Sequence, residues 1–456
     1  MKSLKHSLFL LLLLGATTLP AQTDPQLLTN GRDLSGWRSV GGEAPFRAEG
    51  HTIVGTAVAG KYNTFLCTER PYGDFVLEFE FRGDAPLNSG VMFRAQERDG
   101  EAGRRVIYGY QMEIDPSPRA YTGGIFDESR RGWLYPLSYH EPARGAYRIG
   151  AWNRARIEAV GDELRTYING QPAANLLDDA DASGTICLQV HSVGPDQAGL
   201  TVRWRDLKLT EGIPADRANS AAGAPQVNTR PNDLSEAERR HGWRLLFDGR
   251  STDGWRGAKL DDFPERGWEV TDGELRVLAG NGGESTNGGD IVTRQHFGDF
   301  ELKFEFKFTE GANSGVKYYV DPTLNKGAGS AIGLEYQILD DERHPDANFG
   351  VRGNRTLASL YDLIPAEVLD VPGRGKGGWP NVWNRGRIVS RGGHVEHWLN
   401  GYKVIEYDRF SQIFNALVNY SKYKDWPNFG REAAGPILLQ DHGDAVAFRS
   451  LKIREF

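Results

Sequence analysis

Short stretches in which apolar and polar residues alternate recur along the whole chain. In residues 75–81 the odd positions are apolar, and in residues 300–306 the even positions are. A period of two places one set of side chains on a core face and the other on a polar face, as in antiparallel sheets. Dipeptides such as Asn169-Gly170 and Asn400-Gly401 are typical of hairpin turns between such strands. No long amphipathic helix is evident, so the pattern predicts an all-β fold of packed antiparallel sheets.

The chain carries the same series of motifs twice, in the same order. The matched segments are Gly73-Asp74-Phe75 with Gly298-Asp299-Phe300, Asn88-Ser89-Gly90-Val91 with Asn313-Ser314-Gly315-Val316, and Trp152-Asn153-Arg154 with Trp383-Asn384-Arg385. This indicates duplication of a whole domain, because solenoid repeats have periods of only about 20–50 residues. We therefore predict a first β-sandwich over residues 22–212 (copy one), a linker over residues 213–241 and a second β-sandwich over residues 242–456 (copy two).

Copy two is longer than copy one by about 20 residues after its Asn-Gly turn. The extra residues lie within 401–435. The aromatic side chains of this stretch are Tyr402, Tyr407, Phe414, Tyr420, Tyr423, Trp426 and Phe429. Long loops of compact domains commonly carry function. We therefore expect this aromatic loop to serve the site of copy two.

The first 21 residues have the order of a secretory signal. Lys2 and Lys5 precede an apolar run from Leu8 to Leu14, and small residues follow up to Ala21. The run is shorter than the roughly 20 apolar residues that cross a bilayer, and no later segment resembles a span. We predict a signal peptide over residues 1–21, no membrane span, and a periplasmic or secreted protein.

Composition and charge narrow the choice of partner. The net charge is −7, and the Lys and Arg residues are scattered without a basic block, which argues against nucleic acid as a partner. Cys67 and Cys187 are the two cysteines of the chain. Export permits a disulfide between them, but the sequence does not show whether their geometry allows one.

Alternation also predicts which polar side chains share a sheet surface. In copy two these are Lys317, Tyr319, Glu335, Gln337, Gln440 and His442, with His397 and Asn400 on a neighbouring strand and its turn. In copy one they are Arg94, Gln111, Glu113, Gln189 and His191. A mixture of amides, carboxylates and aromatic rings is typical of carbohydrate sites. A single polar residue on a sheet is commonly just solvated, but recurrence of the same residue types in both copies favours a functional groove.

At these residues the chain resembles the 3-keto-disaccharide hydrolase family. The motifs that carry the resemblance are Phe247-Asp248-Gly249, Asn313-Ser314-Gly315-Val316-Lys317, Glu335-Tyr336-Gln337-Ile338-Leu339-Asp340, Val395-Glu396-His397-Trp398-Leu399-Asn400-Gly401 and Gln440-Asp441-His442-Gly443. Copy one shows a second form, with Tyr110-Gln111-Met112-Glu113-Ile114-Asp115 and Gln189-Val190-His191-Ser192. The resemblance implies two tandem concanavalin A-like jelly-roll β-sandwiches. It also implies a carbohydrate substrate, a glycoside oxidised at C3 of its sugar.

Cleavage of such a substrate needs a base for the C2 proton, a stabiliser for the enolate and an acid for the leaving oxygen. For copy two we assign His397 or His442 as the base, Lys317 as the stabiliser and Glu335 as the acid or orienting group. The residues assigned to hold substrate there are Gln337, Asn400, Gln440 and Tyr319. In copy one Glu113 and His191 form the titrating pair, supported by Arg94, Gln111 and Gln189. Copy one lacks counterparts of Lys317 and His397, so copy two is predicted to be the reactive copy.

Two other functions stay open at this stage. A pair of non-catalytic carbohydrate-binding domains would share the fold, because fold does not fix function. A conventional endoglucanase would need paired carboxylates, for which Gln111, Glu113 and Asp115 come nearest. No cofactor is predicted. A divalent metal stays open, because His, Glu and Asp share a face without a compelling ligand spacing.

Overall fold

The computed structural model of the chain describes residues 24–213, 223–280, 283–324, 330–369, 375–426 and 428–456. The predicted signal peptide lies outside these residues. None of the helices in the described part of the chain has the length and apolar character needed to cross a membrane.

The first copy is built from strands alone, apart from short 3-10 turns. Its strands are β1 (Gln26–Leu27), β2 (Trp37–Gly41), β3 (Phe46–Glu49), β4 (Thr52–Thr56), β5 (Thr64–Thr68), β6 (Phe75–Gly83), β7 (Ser89–Asp99), β8 (Arg105–Ile114), β9 (Ile125–Glu128), β10 (Gly132–Tyr135), β11 (Asn153–Val160), β12 (Glu163–Ile168), β13 (Gln171–Leu177), β14 (Thr185–Val190) and β15 (Thr201–Glu211).

The rest of the chain adds further strands and two short helices. These elements are β16 (Val227–Asn228), α1 (Glu236–Arg240), β17 (Arg244–Leu245), β18 (Trp255–Gly257), β19 (Trp268–Thr271), β20 (Glu274–Val277), β21 (Ile291–Thr293), β22 (Phe300–Phe308), β23 (Asn313–Asp321), β24 (Ile332–Leu339), β25 (Asn384–Arg391), β26 (His394–Leu399), β27 (Tyr402–Asp408), α2 (Gln412–Tyr420), β28 (Leu438–Leu439) and β29 (Val446–Glu455).

Each copy consists of two sheets, whose strands pair antiparallel except for β16. In copy one a seven-stranded sheet, β10-β9-β8-β7-β14-β5-β2, faces a larger sheet, β16-β13-β12-β11-β6-β15-β4-β3. In copy two the sheets are β18-β21-β28-β23-β24 and β19-β20-β29-β22-β25-β26-β27. The smaller sheets correspond strand for strand, with β24-β23-β28-β21-β18 matching β8-β7-β14-β5-β2. The prediction of two tandem all-β sandwiches is confirmed.

The smaller sheet of each copy has an outer face, meaning the side that points away from the sandwich core. Along β23 and β24 of copy two, Val316, Tyr318 and Tyr336 are buried in the core, so the residues between them point outwards. On the outer face of copy one, Cys67 and Cys187 pair directly across β5 and β14 and form a disulfide. Phe65 and Met92 join them in a small apolar cluster.

The region between the copies is ordered where the structure describes it. Strand β16 pairs in parallel with β13 of copy one, with Val227 opposite Leu176. Helix α1 begins at a capping box formed by Ser235 and Glu238. The Glu238 carboxylate also accepts hydrogen bonds from the buried Lys452 ammonium of copy two at 3.2 and 3.3 Å. The described part of the predicted linker is therefore docked on both copies.

The two copies also touch directly through the turn between β26 and β27. Gly401 adopts a left-handed φ of 86°, and a Cβ on it would lie 2.7 Å from Cγ of Pro136. Ser138 donates a hydrogen bond to the Gly401 carbonyl at 3.3 Å. Only a residue without a side chain fits this contact comfortably.

Candidate functional site

Lys317 and Glu335 form an ion pair on the outer face of copy two. They lie directly opposite each other on β23 and β24, and Nζ of Lys317 is 3.9 Å from Oε2 of Glu335. Both side chains are buried although they point away from the core. The neighbouring Gly315 makes room for them, because a Cβ at this position would collide with the Glu335 carboxylate.

The charges around Lys317 keep it protonated. Burial alone lowers the pKa of an ammonium group, but Glu335, Asp290 and Glu284 together raise the pKa of Lys317 above its usual value. Burial raises the pKa of Asp290 to about 7, in spite of the nearby Lys317. The result is a permanent positive charge enclosed by carboxyl groups, in a place that water hardly reaches.

Three amides and a histidine continue the same outer face from this pair towards Asn313. Gln337 lies opposite Gly315, and its amide hydrogen-bonds the Asn313 amide at 3.1 Å. Gln440 is held over the same strand by its backbone N–H, which donates to the Gly315 carbonyl at 3.0 Å. Its side-chain Oε1 has no protein partner among the described residues.

His442 completes the group at the end of β28. Its Nε2 lies 3.4 Å from the Asn313 amide nitrogen, and among the described residues its Nδ1 has no hydrogen-bond partner. The ring is half-buried and lies 6.3 Å from the ring of His344. An imidazole with a free ring nitrogen in a polar pocket has the form of a general base. The structure therefore brings together five predicted residues: Lys317, Glu335, Gln337, Gln440 and His442.

Loops cover this outer face, and sequence reasoning missed several of their residues. The Tyr361 N–H donates to the Glu335 carbonyl at 3.1 Å, and Nζ of Lys422 lies 4.2 Å from the centre of the Tyr361 ring. Tyr423, from the predicted aromatic loop, is buried and stacks on Phe429 at 4.0 Å. The aromatic richness of residues 401–435 was a usable signal for Tyr423. Tyr361 and Lys422 gave none, because folding of long loops brings them to the site.

His397 does not belong to this face. Strand β26 points Val395, His397 and Leu399 into the sandwich core, and the His397 side chain is fully buried. Its Nε2 hydrogen-bonds the Tyr318 hydroxyl at 2.7 Å, and its Nδ1 hydrogen-bonds the Ala358 carbonyl at 3.1 Å. Burial lowers the pKa of His397 to about 4, so the ring is neutral. The prediction that His397 lines the groove is wrong, because it fills a core position of its strand.

Arg94 and Tyr319 are also misplaced by the prediction, and for one common reason. Strands β7 and β23 each contain a bulge, and both residues have a left-handed φ of 49°. Their side chains turn to the strand ends, where Arg94 Nε donates to the Gly73 carbonyl at 3.0 Å and the Tyr319 hydroxyl donates to the Gly298 carbonyl at 2.7 Å. Both are buried clamps on equivalent carbonyls, so their assignment to substrate binding is wrong.

Asn400 holds a hairpin turn on the larger sheet. Its Oδ1 accepts a hydrogen bond from the Arg385 N–H at 2.8 Å, and its Nδ2 donates to Asn384 at 3.2 Å. In copy one Asn169 makes the same bond to the N–H of Arg154 at 2.9 Å. The assignment of Asn400 to substrate binding is therefore wrong as well, because its amide is occupied in shaping the turn.

Copy one has the same framework with fewer charges. Glu113 lies opposite Gly90, accepts a hydrogen bond from Asn88 at 2.7 Å and another from Gln111 at 3.0 Å. Burial raises the pKa of Glu113. His191 lies farther along the same face, and its Nδ1 hydrogen-bonds the Ser192 carbonyl at 2.7 Å.

The strand register shows which residues of the two copies are equivalent. Met92 lies opposite Gln111 in copy one, where copy two has Lys317 opposite Glu335. Cys67 pairs with β14 in copy one as Val292 pairs with β28 in copy two, so these two residues are equivalent. Phe65 and Asp290 each lie two residues earlier and are therefore equivalent as well. Copy one thus has a thioether, an amide and a phenyl ring where copy two has an ammonium and two carboxyl groups.

A group of potential metal ligands lies elsewhere. His394, Glu396 and Glu406 of the exposed β26–β27 hairpin place one ligand atom each within 4.8 Å of the others. Lys403 lies among them, with Nζ 2.7 Å from Glu406 and 3.6 Å from Glu396. The ammonium already pairs with both carboxylates and offsets part of their charge, which makes the hairpin a poor site for a cation.

Comparisons with known proteins place the chain in a family. Residues 24–210 and 242–454 both match the model of the 3-keto-alpha-glucoside-1,2-lyase-like domain. Among curated proteins, a 3-keto-disaccharide hydrolase of Bacteroides thetaiotaomicron is 35% identical over 233 residues, which cover 47% of this chain and 78% of that protein.

Solved structures are also similar to parts of this chain, at lower sequence identity. A Parabacteroides distasonis protein, described as a proposed glycosyl hydrolase, is 28% identical, covers 50% of this chain and 100% of its own, and has a TM-score of 0.43. The carbohydrate-binding module CBM66 of Bacillus subtilis is 16% identical, covers 38% of this chain and 93% of its own, and has a TM-score of 0.25. Because both copies match this model, the chain belongs to the 3-keto-alpha-glucoside-1,2-lyase-like domain family and contains the domain twice.

Proposed function

We propose that copy two is a glycoside hydrolase that cleaves glycosides carrying a ketone at C3 of the sugar. The observation that carries this proposal is that Lys317 and Glu335 lie on one outer face with His442, on opposite sides of Gly315. Membership of the family and the name of the Bacteroides relative supply the substrate class.

The residues fit an elimination followed by addition of water. A C3 ketone acidifies the C2–H bond, and His442 removes that proton. The electrons move into an enolate, which the Lys317 ammonium stabilises. The enolate then re-forms the ketone and expels the glycosidic oxygen from C1, leaving a C1–C2 double bond. Glu335, a carboxylate paired with Lys317, orients the departing group, and the departing oxygen takes up a proton from water.

Water completes the reaction by adding across the C1–C2 double bond. Its oxygen bonds to C1, and a proton returns to C2. The products are the free 3-keto sugar and the released alcohol, so the sum is hydrolysis without an external oxidant. Conventional glycosidases use two carboxyl groups that flank the bond. Copy two instead places an ammonium among its carboxyl groups, which fits an enolate better than an oxocarbenium ion.

The test is to incubate the protein with a 3-keto-disaccharide and, separately, with its unoxidised parent in deuterium oxide. We expect cleavage of the keto form alone, with one solvent deuterium at C2 of the released sugar beyond an enzyme-free control. His442→Ala should abolish this turnover, whereas His394→Ala on the exposed hairpin should not. Cleavage of the parent without deuterium at C2 would identify a conventional glycosidase, and binding without cleavage would leave a carbohydrate-binding protein.

A further inference from the structure

The outer face of copy one contains buried amide atoms that find no hydrogen-bond partner in the described part of the chain. Gln189 is 1% exposed, and among the described residues neither its Oε1 nor its Nε2 finds a hydrogen-bond partner. Gln111 is 2% exposed, and its Oε1 is likewise unpaired within the described chain. Proteins rarely leave buried polar groups unsatisfied, because each costs stability.

These amides meet over one glycine. Gly90 lies opposite Gln189 on β14 and opposite Glu113 on β8, and the Gln111 amide occupies the space that a Cβ on Gly90 would fill. Two amides and a carboxyl group are therefore gathered on one spot of the outer face. They offer both donors and acceptors, which is the requirement for binding neighbouring hydroxyl groups.

A cavity adjoins this group of side chains at Phe65. Phe65 is the Cα partner of Gln189, and it lines a cavity of about 260 Å³ together with Asn63, Glu128 and His191. Asn63 Nδ2 donates to Glu128 at 3.3 Å, and its Oδ1 accepts from the Ser192 N–H at 2.9 Å. Burial raises the pKa of Glu128 to about 7, so this carboxyl group is partly protonated at neutral pH and acts as a donor as well as an acceptor.

The absence from copy one of the charges that surround Gly315 in copy two bears on the kind of ligand that copy one can bind. Copy one has Met92 and Phe65 at the positions of Lys317 and Asp290, so it lacks the ammonium that would stabilise an enolate. Phe65 and Met92 instead give the site an apolar floor. A polar rim above an apolar floor matches a sugar ring, whose hydroxyl groups lie at its edge and whose C–H bonds lie on its face.

We propose that copy one holds a second carbohydrate site, formed around Gly90 by Gln189, Gln111 and Glu113, that binds a neutral, unoxidised sugar unit without cleaving it. The site stands apart from the turnover proposed for copy two. It uses the same strand positions, but its chemistry is that of hydroxyl recognition.

Isothermal titration calorimetry on the full-length protein tests this, with trehalose and sucrose as separate probes. We expect millimolar binding of at least one of them. Gln189→Leu should weaken it by about tenfold, because the substitution removes two hydrogen bonds to the sugar while keeping the side-chain volume. The matched control is Gln440→Leu, the same change at the equivalent position of copy two, which should leave this binding in place.

Stability provides a second readout. Gln189→Leu removes unpaired buried polar atoms, so the sugar-free variant should melt at the same temperature as the parent or higher, while the rise in melting temperature on adding sugar should be lost. Absence of binding by both sugars, equal affinity in Gln189→Leu, or loss of binding in Gln440→Leu alone would overturn the proposal. A preference for gluconate over the neutral sugars would overturn its ligand class.

Discussion

Lys317 is an unusual residue because it points away from the core and is still shielded from water. The ammonium is enclosed by Glu335 and Asp290 in a medium of low dielectric constant, where its interaction with a nearby charge is stronger than in water. Such a charge is already in position before the enolate forms, so the reaction does not have to reorganise solvent around it. Its contribution to turnover should therefore be large.

Lys317→Met, which installs the residue of copy one, should reduce kcat by about 10²–10³-fold, the effect of losing one electrostatic stabiliser. It should also destabilise the protein by roughly 3–5 kcal/mol, because Glu335 is left as an unpaired buried charge. The double variant Lys317→Met/Glu335→Gln copies the uncharged pair of copy one. We expect it to regain stability but not turnover, as measured by thermal unfolding and initial rates.

The control for this series is Lys307→Met, which removes a lysine paired with Glu274 on the other sheet. It should leave kcat within about twofold of the parent, as expected of a surface position. Parental turnover in the double variant would show that the Lys317 charge does not serve the reaction.

We expect His397 to affect how the unfolding free energy depends on pH, and not to affect turnover. Its pKa falls from 6.5 to about 4 on folding, so the unfolded chain binds more protons than the folded chain between these values. The contribution of His397 to the unfolding free energy is fully present above pH 6.5. It is lost as the pH falls towards 4, by about 3 kcal/mol in all.

His397→Gln keeps a hydrogen-bonding side chain but does not titrate. Its unfolding free energy, measured in urea at pH 7 and pH 4.5, should fall less than that of the parent over this interval. Turnover at pH 7 should stay close to the parental value if the variant is folded. A large loss of kcat in a folded His397→Gln protein would restore the role of catalytic base to this residue.

At the scale of elements, regular strands explain what sequence could predict. Period-two alternation placed Lys317, Glu335 and Gln337 correctly on the outer face, because β23 and β24 are regular at these positions. It failed at Arg94 and Tyr319, because a bulge shifts alternation by one step and a left-handed residue leaves no clear sign in the sequence.

Other placements were harder to predict from the sequence. His397 follows the core alternation of β26, yet a histidine in a core position looks the same in sequence as one on the surface. Tyr361 and Lys422 reach the site through loop packing, which depends on contacts between distant segments. Asp290 gave no signal until strand pairing showed that it occupies the place of Phe65.

The disulfide gives a prediction for one pair of elements. Cys67 and Cys187 join β5 and β14 across 120 residues of sequence, whereas copy two has Val292 and Leu438 at the equivalent positions. Cys67→Val with Cys187→Leu keeps the apolar contact and removes the cross-link. We expect a loss of about 2–4 kcal/mol in the unfolding free energy of copy one.

The measurement is urea unfolding of parent and variant, with and without a reducing agent. Reduction should destabilise the parent towards the level of the variant, and should leave the variant unchanged. Equal stability of the two oxidised proteins would mean that packing alone holds β5 against β14.

At the scale of the whole molecule, the segment between the copies is part of the structure. Lys452 of copy two is 2% exposed, and its carboxylate partner Glu238 lies before copy two begins. A fragment of residues 242–456 therefore loses this partner, and a fragment of residues 223–456 keeps it.

The shorter fragment should be less stable by up to about 3 kcal/mol, because a buried ammonium loses its charged partner, although truncation also lets water reach it. Thermal and urea unfolding of the two fragments give the comparison. Lys452→Met should recover part of the loss in the shorter fragment and should harm the longer one. Identical stability of the two fragments would show that α1 contributes nothing to copy two.

The uncharged floor of copy one makes the divergence of the two halves difficult to reverse. In copy two, Asp290 is accommodated because the Ser285 hydroxyl and the Asp441 N–H donate hydrogen bonds to it at 3.0 and 3.1 Å. Phe65 instead lies in an apolar cluster beside the disulfide. Restoring the ammonium through Met92→Lys alone would bury a cation without the Glu335 and Asp290 partners of copy two, so this single substitution should destabilise copy one. Exchanging the two chemistries would therefore require several substitutions at once, at Phe65, Met92 and Gln111 together.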